Sequence, residues 1–575
     1  MSLRTSPQQT LATCADVVPR EPSSAAVHRK TRRILWAAWS NEPLTETIER
    51  NLAAALAENG GQLLRVVEGR RPADDGIPTI DLQDALPADS RRVAPPPALP
   101  GDFGRIVADT HAFEHIEGST ISLPAVESRL RRCAAHANVI LDRFEPDAVL
   151  VWNGLLSQRA VIAALARQRG IPVYYCERGM FPGSWYADTR GINAIGSLVR
   201  PPLATGLAEA LVTALAAERR QDIIDRLAET ARAGASAWGQ PPLKGPDAWR
   251  AQLDIPAEAR VLFFPLQVSA DTNMQFFSPH FADSVAALDA VADALAGADD
   301  WFLLVKPHPK GTYAPGEVER LTARARNGRV VADINLHDAL ALATLVATIN
   351  SNVAAEAVWS GRPVLQLGRG VLSGKSIVSE YTHDRSMIGQ IEQAVAAWTD
   401  NPGHYERGLR FYDYLHCNFL LDGRNPDDAR RLVERIQRTI APRPPSAHQD
   451  GDPTLLARNF TWQPAVELFD RIARRSAIRN VVLVGFGQNA LRLMLAVPLH
   501  PGARNLYWTA WDDNENTRQI AAAHGLPLAD PWTQRVPTDN TLLIVTPREA
   551  ADIGRRLQQQ GYAPQRDWLY LIPPN

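Results

Sequence analysis

The chain has 575 residues, 45% of them hydrophobic and 22% charged, with a formal net charge of -2. That length exceeds what one hydrophobic core organises, so roughly three or four domains are expected. The near-zero charge argues against a nucleic-acid-binding surface, and the composition is that of a soluble globular protein. Cys14, Cys133, Cys176 and Cys417 are scattered without metal-ligand spacing and read as reduced cytosolic thiols. No apolar run has the length of a membrane span, and the polar N-terminus lacks the apolar core of a secretory signal. A cytoplasmic protein is expected, with a peripheral place at a membrane left open.

Residues 1–30, rich in Ser, Thr, Gln and Pro without periodicity, are expected to be disordered. A first α/β region, 31–240, opens with the strand Ile34–Trp39, and Ile48, Leu52, Ala55 and Leu56 form an amphipathic helical stripe. A strand at Leu63–Val67, a Pro-rich loop at Ala94–Pro100 and helices over 105–143 follow. Strand Ala148–Trp152, helix 156–169 and strand Val173–Cys176 then predict parallel pairing. After helices over 205–235, Gly239–Pro246 reads as an interdomain joint.

A second α/β region, 241–440, begins with strand Val261–Pro265, helix 280–296 and strand Trp301–Val305. Helix 315–326, strands at Val330–Val331, Leu345–Ile349 and Val364–Leu367, and helices over 386–440 complete it. Residues 441–453 form a Pro-rich linker. Residues 454–575 read as a small Rossmann-like accessory domain, in which strand Val481–Val484 enters Gly485-Phe486-Gly487 and strand Leu506–Ala510 ends near Asp512-Asp513. Ala490 replaces the third glycine of a dinucleotide fingerprint, so an interaction or structural role is favoured there over a bound cofactor.

Chemistry-bearing residues collect at the carboxyl ends of predicted strands, the edge where open α/β sheets bind ligands. Strand 301–305 runs into Lys306-Pro307-His308-Pro309. Each proline forces extended backbone on the residue before it, presenting two cationic-capable side chains to an anion, most simply a phosphate. The plain alternative is an ordinary strand exit. Glu177 and Arg178 lead into the glycine-rich stretch Gly179–Gly183, where a carboxylate can be desolvated and its pKa raised. The alternative is a cap with Arg178 as its salt partner. Asp271, flanked by Gln267 and Asn273, follows strand 261–265 and alone reads as a turn residue. Asn350-Ser351-Asn352 lead into a small-residue helix whose amides suit a nucleotide phosphate. Glu356 could accept hydrogen bonds from ribose hydroxyls, or simply interact with the helix dipole.

Taken in order, four motifs resemble the capsule polysaccharide synthesis family, in particular its KpsC and KpsS type members and WbbB-like O-antigen enzymes. They are Glu177-Arg178-Gly179 with Asp188 and Gly191-Ile192-Asn193; Gln267 with Asp271 and Asn273; Lys306-Pro307-His308-Pro309; and Asn350-Ser351 with Glu356-Ala357 and Gly361-Arg362-Pro363-Val364. The resemblance spans about 31–440. It implies an α/β fold with a GT-B-like pair of Rossmann-like domains, the acceptor side at 31–240 and the CMP-sugar side at 241–440; the additional small C-terminal Rossmann-like domain, read from its own residues, lies outside the resemblance.

It also implies a retaining glycosyltransferase that moves β-Kdo, or a related ulosonic acid, from CMP-Kdo to a cell-surface polysaccharide or lipid-linked acceptor. Retention by double displacement needs a carboxylate nucleophile and a group that handles the acceptor proton. On the matching positions Asp271 would be the nucleophile, Glu177 the acid/base and His308 a further catalytic group. Lys306 and His308 would meet the CMP phosphate or the sugar carboxylate, Ser351 and Asn352 the phosphate, and Glu356 the ribose. Arg178, Gln267, Asn273 and Asn350 complete the implied nucleotide-sugar site, and Asp188 is a competing carboxylate. No cofactor or metal is implied. The implied partners are the CMP-sugar donor, a glycan or glycolipid acceptor and other glycan-assembly proteins at the inner membrane, with no nucleic acid. Two other readings stay open: a GT-B transferase using another nucleotide sugar, and a non-catalytic scaffold in polysaccharide assembly.

Overall fold

The computed structural model describes residues 33–38, 43–67, 75–82, 85–87, 99–234 and 239–439. Further on it describes 460–462, 477–485, 506–512, 536–546 and 551–571, with isolated positions between them. The N-terminal stretch 1–30, the linker 441–453 and residues 486–489 of the glycine turn lie outside the described residues. The chain forms two compact units. The larger comprises Met1–Gln62, Pro100–Leu130 and Asp147–Pro444; the smaller comprises Leu63–Leu99, Arg131–Pro146 and Pro445–Asn575.

The larger unit carries two sheets. In the first, Ala148–Trp152 is buried at every position, the near-continuous apolar pattern of a strand covered on both faces. It pairs in parallel with Arg33–Ala37 on one side and Val173–Arg178 on the other. Trp36, Trp152 and Trp185 fill its core, Trp36 meeting the other two edge-on at centroid separations of 6.3 and 6.4 Å, a favoured aromatic geometry. The Trp36 indole N–H donates to the buried Glu49 carboxylate on helix Pro43–Ala57, at 2.9 Å.

One element of this sheet was not anticipated. Ser184–Asp188 pairs antiparallel with Val173–Arg178, setting Glu177 opposite Tyr186. Glu177 therefore lies within a strand and not in a loop beyond it. The tight turn joining the two strands uses Gly183 at a φ of 80°, which glycine adopts without steric cost. A methyl group on Gly179 would collide with Ser184 Oγ. The chain later returns to this edge, where Leu421–Asp422 pairs antiparallel with Ser184–Asp188, and helix Pro426–Thr439 packs on Pro43–Ala57.

The second sheet is parallel throughout: Gly328–Val330, Trp301–Lys306, Arg260–Pro265, Leu345–Thr348, Val364–Gln366 and Ser379–Glu380, in that spatial order. Counted along the chain, the strands run 3-2-1-4-5-6, the doubly-wound dinucleotide-fold order. The direction of winding reverses between Arg260–Pro265 and Leu345–Thr348, which opens a crevice at their carboxyl ends. Phe181, in the turn of the first sheet's hairpin, packs against Trp359 and Tyr412 at 5.2 and 5.0 Å. These two rings belong to helices Val353–Trp359 and Gly403–Tyr414, so the two halves of the unit share an aromatic contact.

In the smaller unit Gln62–Val67 pairs in parallel with Thr79–Asp81. The buried Arg65 guanidinium grips Asp75 through two hydrogen bonds of 2.8 and 3.0 Å. Ala85–Pro87 pairs with Phe460–Trp462. A four-stranded parallel sheet runs in the order Tyr507–Trp511, Asn480–Val484, Thr541–Val545 and Trp568–Tyr570. Alternate residues of its strands feed two apolar clusters, as expected of a sheet covered on both faces. Among the described residues no helix is long and apolar enough to cross a membrane.

The segment Gly239–Pro246 is fastened to the second sheet's layer. The buried Asp338 carboxylate accepts from Lys244 N (2.8 Å), Gly245 N (3.1 Å) and the Trp249 indole N–H (3.0 Å). Asn335 Nδ2 donates to Pro241 O at 2.6 Å. Asp338→Ala strands three donors, one of them on a buried indole, and is expected to cost about 3 kcal/mol. A lowered denaturant midpoint for the larger unit's transition checks this, with Asp338→Asn falling between the variant and the parent chain.

Candidate functional site

At the crevice of the second sheet, Gln267 and Asn350 join the two strands that flank the reversal. Gln267 Nε2 donates to Asn350 Oδ1 at 3.0 Å, and Gln267 Oε1 accepts from Asn350 N at 3.1 Å. Asn350 Nδ2 reaches Asn273 O at 2.9 Å and, more weakly, Phe277 O at 3.4 Å. These amides fix both ends of the short helix Thr272–Phe277. Asp271 caps that helix, its carboxylate accepting from Asn273 N at 2.8 Å, as a short acidic side chain does at a helix start. The turn expected around Asp271 is thus the N-cap of a helix at the crevice.

Glu177 arrives from the first sheet. Its Oε1 accepts from Arg178 N at 2.9 Å and its Oε2 from Asn153 Nδ2 at 2.9 Å. The same Asn153 nitrogen donates to Thr272 Oγ1 at 3.0 Å. A second amide bridge runs from Asn193 Nδ2 to Asn273 Oδ1 at 2.6 Å. Asn193 is itself held by the buried Tyr186, which accepts from Asn193 N at 3.0 Å and donates to Asn193 Oδ1 at 3.2 Å. Two loops of the first sheet therefore bond directly to the first turn of the helix that Asp271 caps.

The electrostatics follow from this enclosure. Burial pushes the Glu177 carboxyl up to about 7, and the nearby Asp271 charge pushes the same way. The Arg178 N–H, the Asn153 amide and Arg159 oppose the rise. Burial also raises Asp271, against the Asn273 N–H and the Arg178 guanidinium. Arg178 is in turn lowered by burial and held up by Asp271. The result is a pair of carboxyl groups from the two halves of the unit, both raised by burial: Glu177 to about 7, so that it is protonated and ionised in comparable amounts near neutrality, and Asp271 against the opposing charge of Arg178.

Lys306, His308, Ser351 and Asn352 follow strands of the second sheet at the same carboxyl edge. Lys306 Nζ donates to Ala332 O at 2.8 Å. His308 Nδ1 accepts from Lys310 N at 3.1 Å, and burial with the charges of Lys310 and Lys306 lowers its pKa, leaving a neutral imidazole. Ser351 Oγ accepts from Val353 N at 3.2 Å, and Asn352 is exposed. Glu356, on the helix Val353–Trp359, is pushed up to about 7 by burial. Asp188 holds the turn that follows it, accepting from Arg190 N at 2.8 Å and Ser197 N at 2.6 Å, so its carboxylate is committed to backbone. The sequence reading did not select Asn153, Thr272 or Tyr186. Asn153-Gly154 does carry a turn signal at a strand's carboxyl end, but its two partners are 24 and 119 residues away. Lys375 was also missed: burial lowers it to about 8, and its Nζ donates to Ser373 O at 3.1 Å.

Two Rossmann-like sheets with an acidic pair drawn from both define an α/β protein of GT-B-like architecture. Within it, residues 241–390 match the family of capsule polysaccharide biosynthesis proteins, in agreement with the motifs of the second half. A curated relative, protein FixF of Sinorhizobium fredii, is 23% identical over 292 residues, covering 50% of this chain and 63% of that protein. Among solved structures, the β-Kdo 2,7 transferase KpsC of Thermosulfurimonas dismutans is 20% identical with a TM-score of 0.30, covering 46% of this chain and 78% of the other. The calicheamicin glycosyltransferase CalG4 is 15% identical with a TM-score of 0.31, covering 72% of this chain and 100% of the other.

The raised Glu177 makes stability depend on pH. Below its ordinary 4.5 the carboxyl is protonated whether the chain is folded or not, and no penalty applies. As the pH climbs to about 7 the unfolded chain ionises freely while the folded site resists, so stability falls by up to about 3 kcal/mol. Glu177→Gln is expected to melt close to the parent at about pH 5 and several degrees higher at about pH 8. Thermal melts across that range check it.

Proposed function

We propose that this chain is a glycosyltransferase that moves an ulosonic-acid sugar, β-Kdo by the likeness of its motifs, from a CMP donor to a glycan or glycolipid acceptor with retention. The observation that carries the reading is the Glu177–Asp271 pair, assembled from two sheets through Asn153 and Thr272. The match of residues 241–390 to capsule polysaccharide biosynthesis proteins supports it.

In the first step an Asp271 carboxylate oxygen attacks the anomeric carbon, and the bond to the CMP phosphate breaks with its electron pair leaving on the phosphate oxygen. The positive charge of Arg178 favours the ionised nucleophile and opposes the rise that burial imposes on Asp271. In the second step the acceptor hydroxyl attacks the same carbon from the opposite face, its proton passes to Glu177, and the Asp271 carboxylate is released. Two inversions give net retention. A carboxyl near 7 suits the proton transfer, because Glu177 must be ionised to receive a proton. Lys306 at the sheet edge would match the charge of the donor's phosphate or carboxylate, and neutral His308 would offer it a hydrogen bond. Glu356 would face the ribose hydroxyls, with Ser351 and Asn352 toward the phosphate. Gln267, Asn273 and Asn350 would hold the floor beneath the sugar. A phosphate monoester leaving group fits a site that works without a metal or other cofactor.

Release of CMP from CMP-Kdo in the presence of acceptor glycan tests the reading. The rate is expected to rise with pH through about 7 and to fall on the order of a thousandfold or more in Asp271→Ala. In Glu177→Gln the second step is starved, and mass spectrometry is expected to find a sugar-sized adduct on the peptide containing Asp271. Full turnover by Asp271→Ala would remove the proposed nucleophile. Turnover of a nucleoside-diphosphate sugar in place of CMP-Kdo would reassign the donor.

A further inference from the structure

Asn153 sits in the left-handed backbone region at a φ of 62°, a conformation that Asn, Asp and Gly adopt far more readily than other residues. It follows the buried strand Ala148–Trp152, and its backbone N–H and both ends of its side-chain amide have partners. Its N–H donates to Cys176 O at 2.7 Å, and its Oδ1 accepts from Leu155 N at 3.2 Å. Because Oδ1 takes a backbone donor, the amide nitrogen is the end that faces the site. One hydrogen goes to Glu177 Oε2 at 2.9 Å and the other to Thr272 Oγ1 at 3.0 Å. Gly154 locks the turn further, since a Cβ there would meet the Tyr175 ring and Val151 at 2.8 Å.

We propose that Asn153 is a positioning residue that sets the spacing of the Glu177–Asp271 pair and joins its two halves. The inference rests on the roles proposed above for those two carboxylates. A single planar amide fixes the rotamer of Glu177 and, through Thr272, the first turn of the helix whose cap is Asp271. Any separation of the two sheets breaks at least one of its bonds. Asn153 thus makes the geometry of the acid/base group depend on closure around the nucleophile, and a misplacement of reacting groups on the order of an ångström is costly in rate. Its donation to the carboxylate also favours ionised Glu177.

Asn153→Gly separates this role from a merely structural one, because glycine keeps the left-handed backbone without strain and removes only the amide. The first readout is the titration of Glu177 in the full-length, unliganded protein labelled with 13C at glutamate carboxyl carbons, the resonance being identified by its loss in Glu177→Gln. The expected midpoint rises by about one pH unit in Asn153→Gly and further in Asn153→Asp, which sets a carboxylate against a carboxylate. The second readout is CMP release. Its rise with pH is expected to move up by the same interval, with kcat at neutral pH lower by on the order of tenfold and donor KM within about twofold. Thr272→Val is expected to lower kcat with a smaller midpoint shift, and Thr272→Ser to restore it. A Glu177 midpoint and a pH profile that both stay put in Asn153→Gly overturn the proposal, and if that variant does not fold, Asn153→Asp decides on the same readouts. Absence of turnover in the parent chain would refute the transferase reading, while the titration would still decide the role of Asn153.

Discussion

A carboxylate taken out of water must be met by donors or give up its charge, and the larger unit is arranged around one such group. Glu177 lies in a strand, opposite a buried tyrosine, with a second carboxylate near it. Its two oxygens receive a backbone N–H and a side-chain amide, enough to keep ionisation within reach of neutral pH but not to restore the ordinary value. The balance is set by packing as much as by charge. The hairpin that seats Glu177 depends on a glycine turn, and its tip is wedged among aromatic rings of helices from the second half.

The second sheet supplies the other partner by topology. Its strand order reverses between Arg260–Pro265 and Leu345–Thr348, so the chain after each of these strands turns away to opposite sides and leaves a gap at the carboxyl edge. Gln267 and Asn350 span that gap with paired amides. Such a satisfied polar network is rigid, since breaking any member strands the others in a low-dielectric setting. Its function in the fold is to hold a helix of six residues, too short to be stable by itself, so that Asp271 stands at a fixed place.

Much of this was legible in the chain. The apolar runs at Ala148–Trp152, Val173–Cys176, Val261–Pro265 and Trp301–Val305 fall within strands Ala148–Trp152, Val173–Arg178, Arg260–Pro265 and Trp301–Lys306, because continuous β-branched, leucine and aromatic stretches bounded by turn residues have few other solutions. Glu177, Asp271 and Lys306 were recognisable as strand-edge groups for the same reason. Ser184–Asp188 escaped because its partner strand precedes it by a turn that looks like open loop, and because its other neighbour is a two-residue strand more than two hundred residues on. Asp188, a plausible acid by sequence, is occupied by backbone donors that no pattern announces.

The sequence by itself determined the alternation of strand and helix, the chemistry placed at each strand's end, and the polar character of the loops, since these depend on short-range periodicity and residue type. Only the tertiary structure decided which of those ends meet. Asn153 donates to a residue 24 positions away and to another 119 away with one nitrogen, and the pKa of Glu177 follows from burial and from a charge brought in by the other sheet. Desolvation and hydrogen-bond geometry are properties of packed neighbours in space, and a linear order of residues does not contain them.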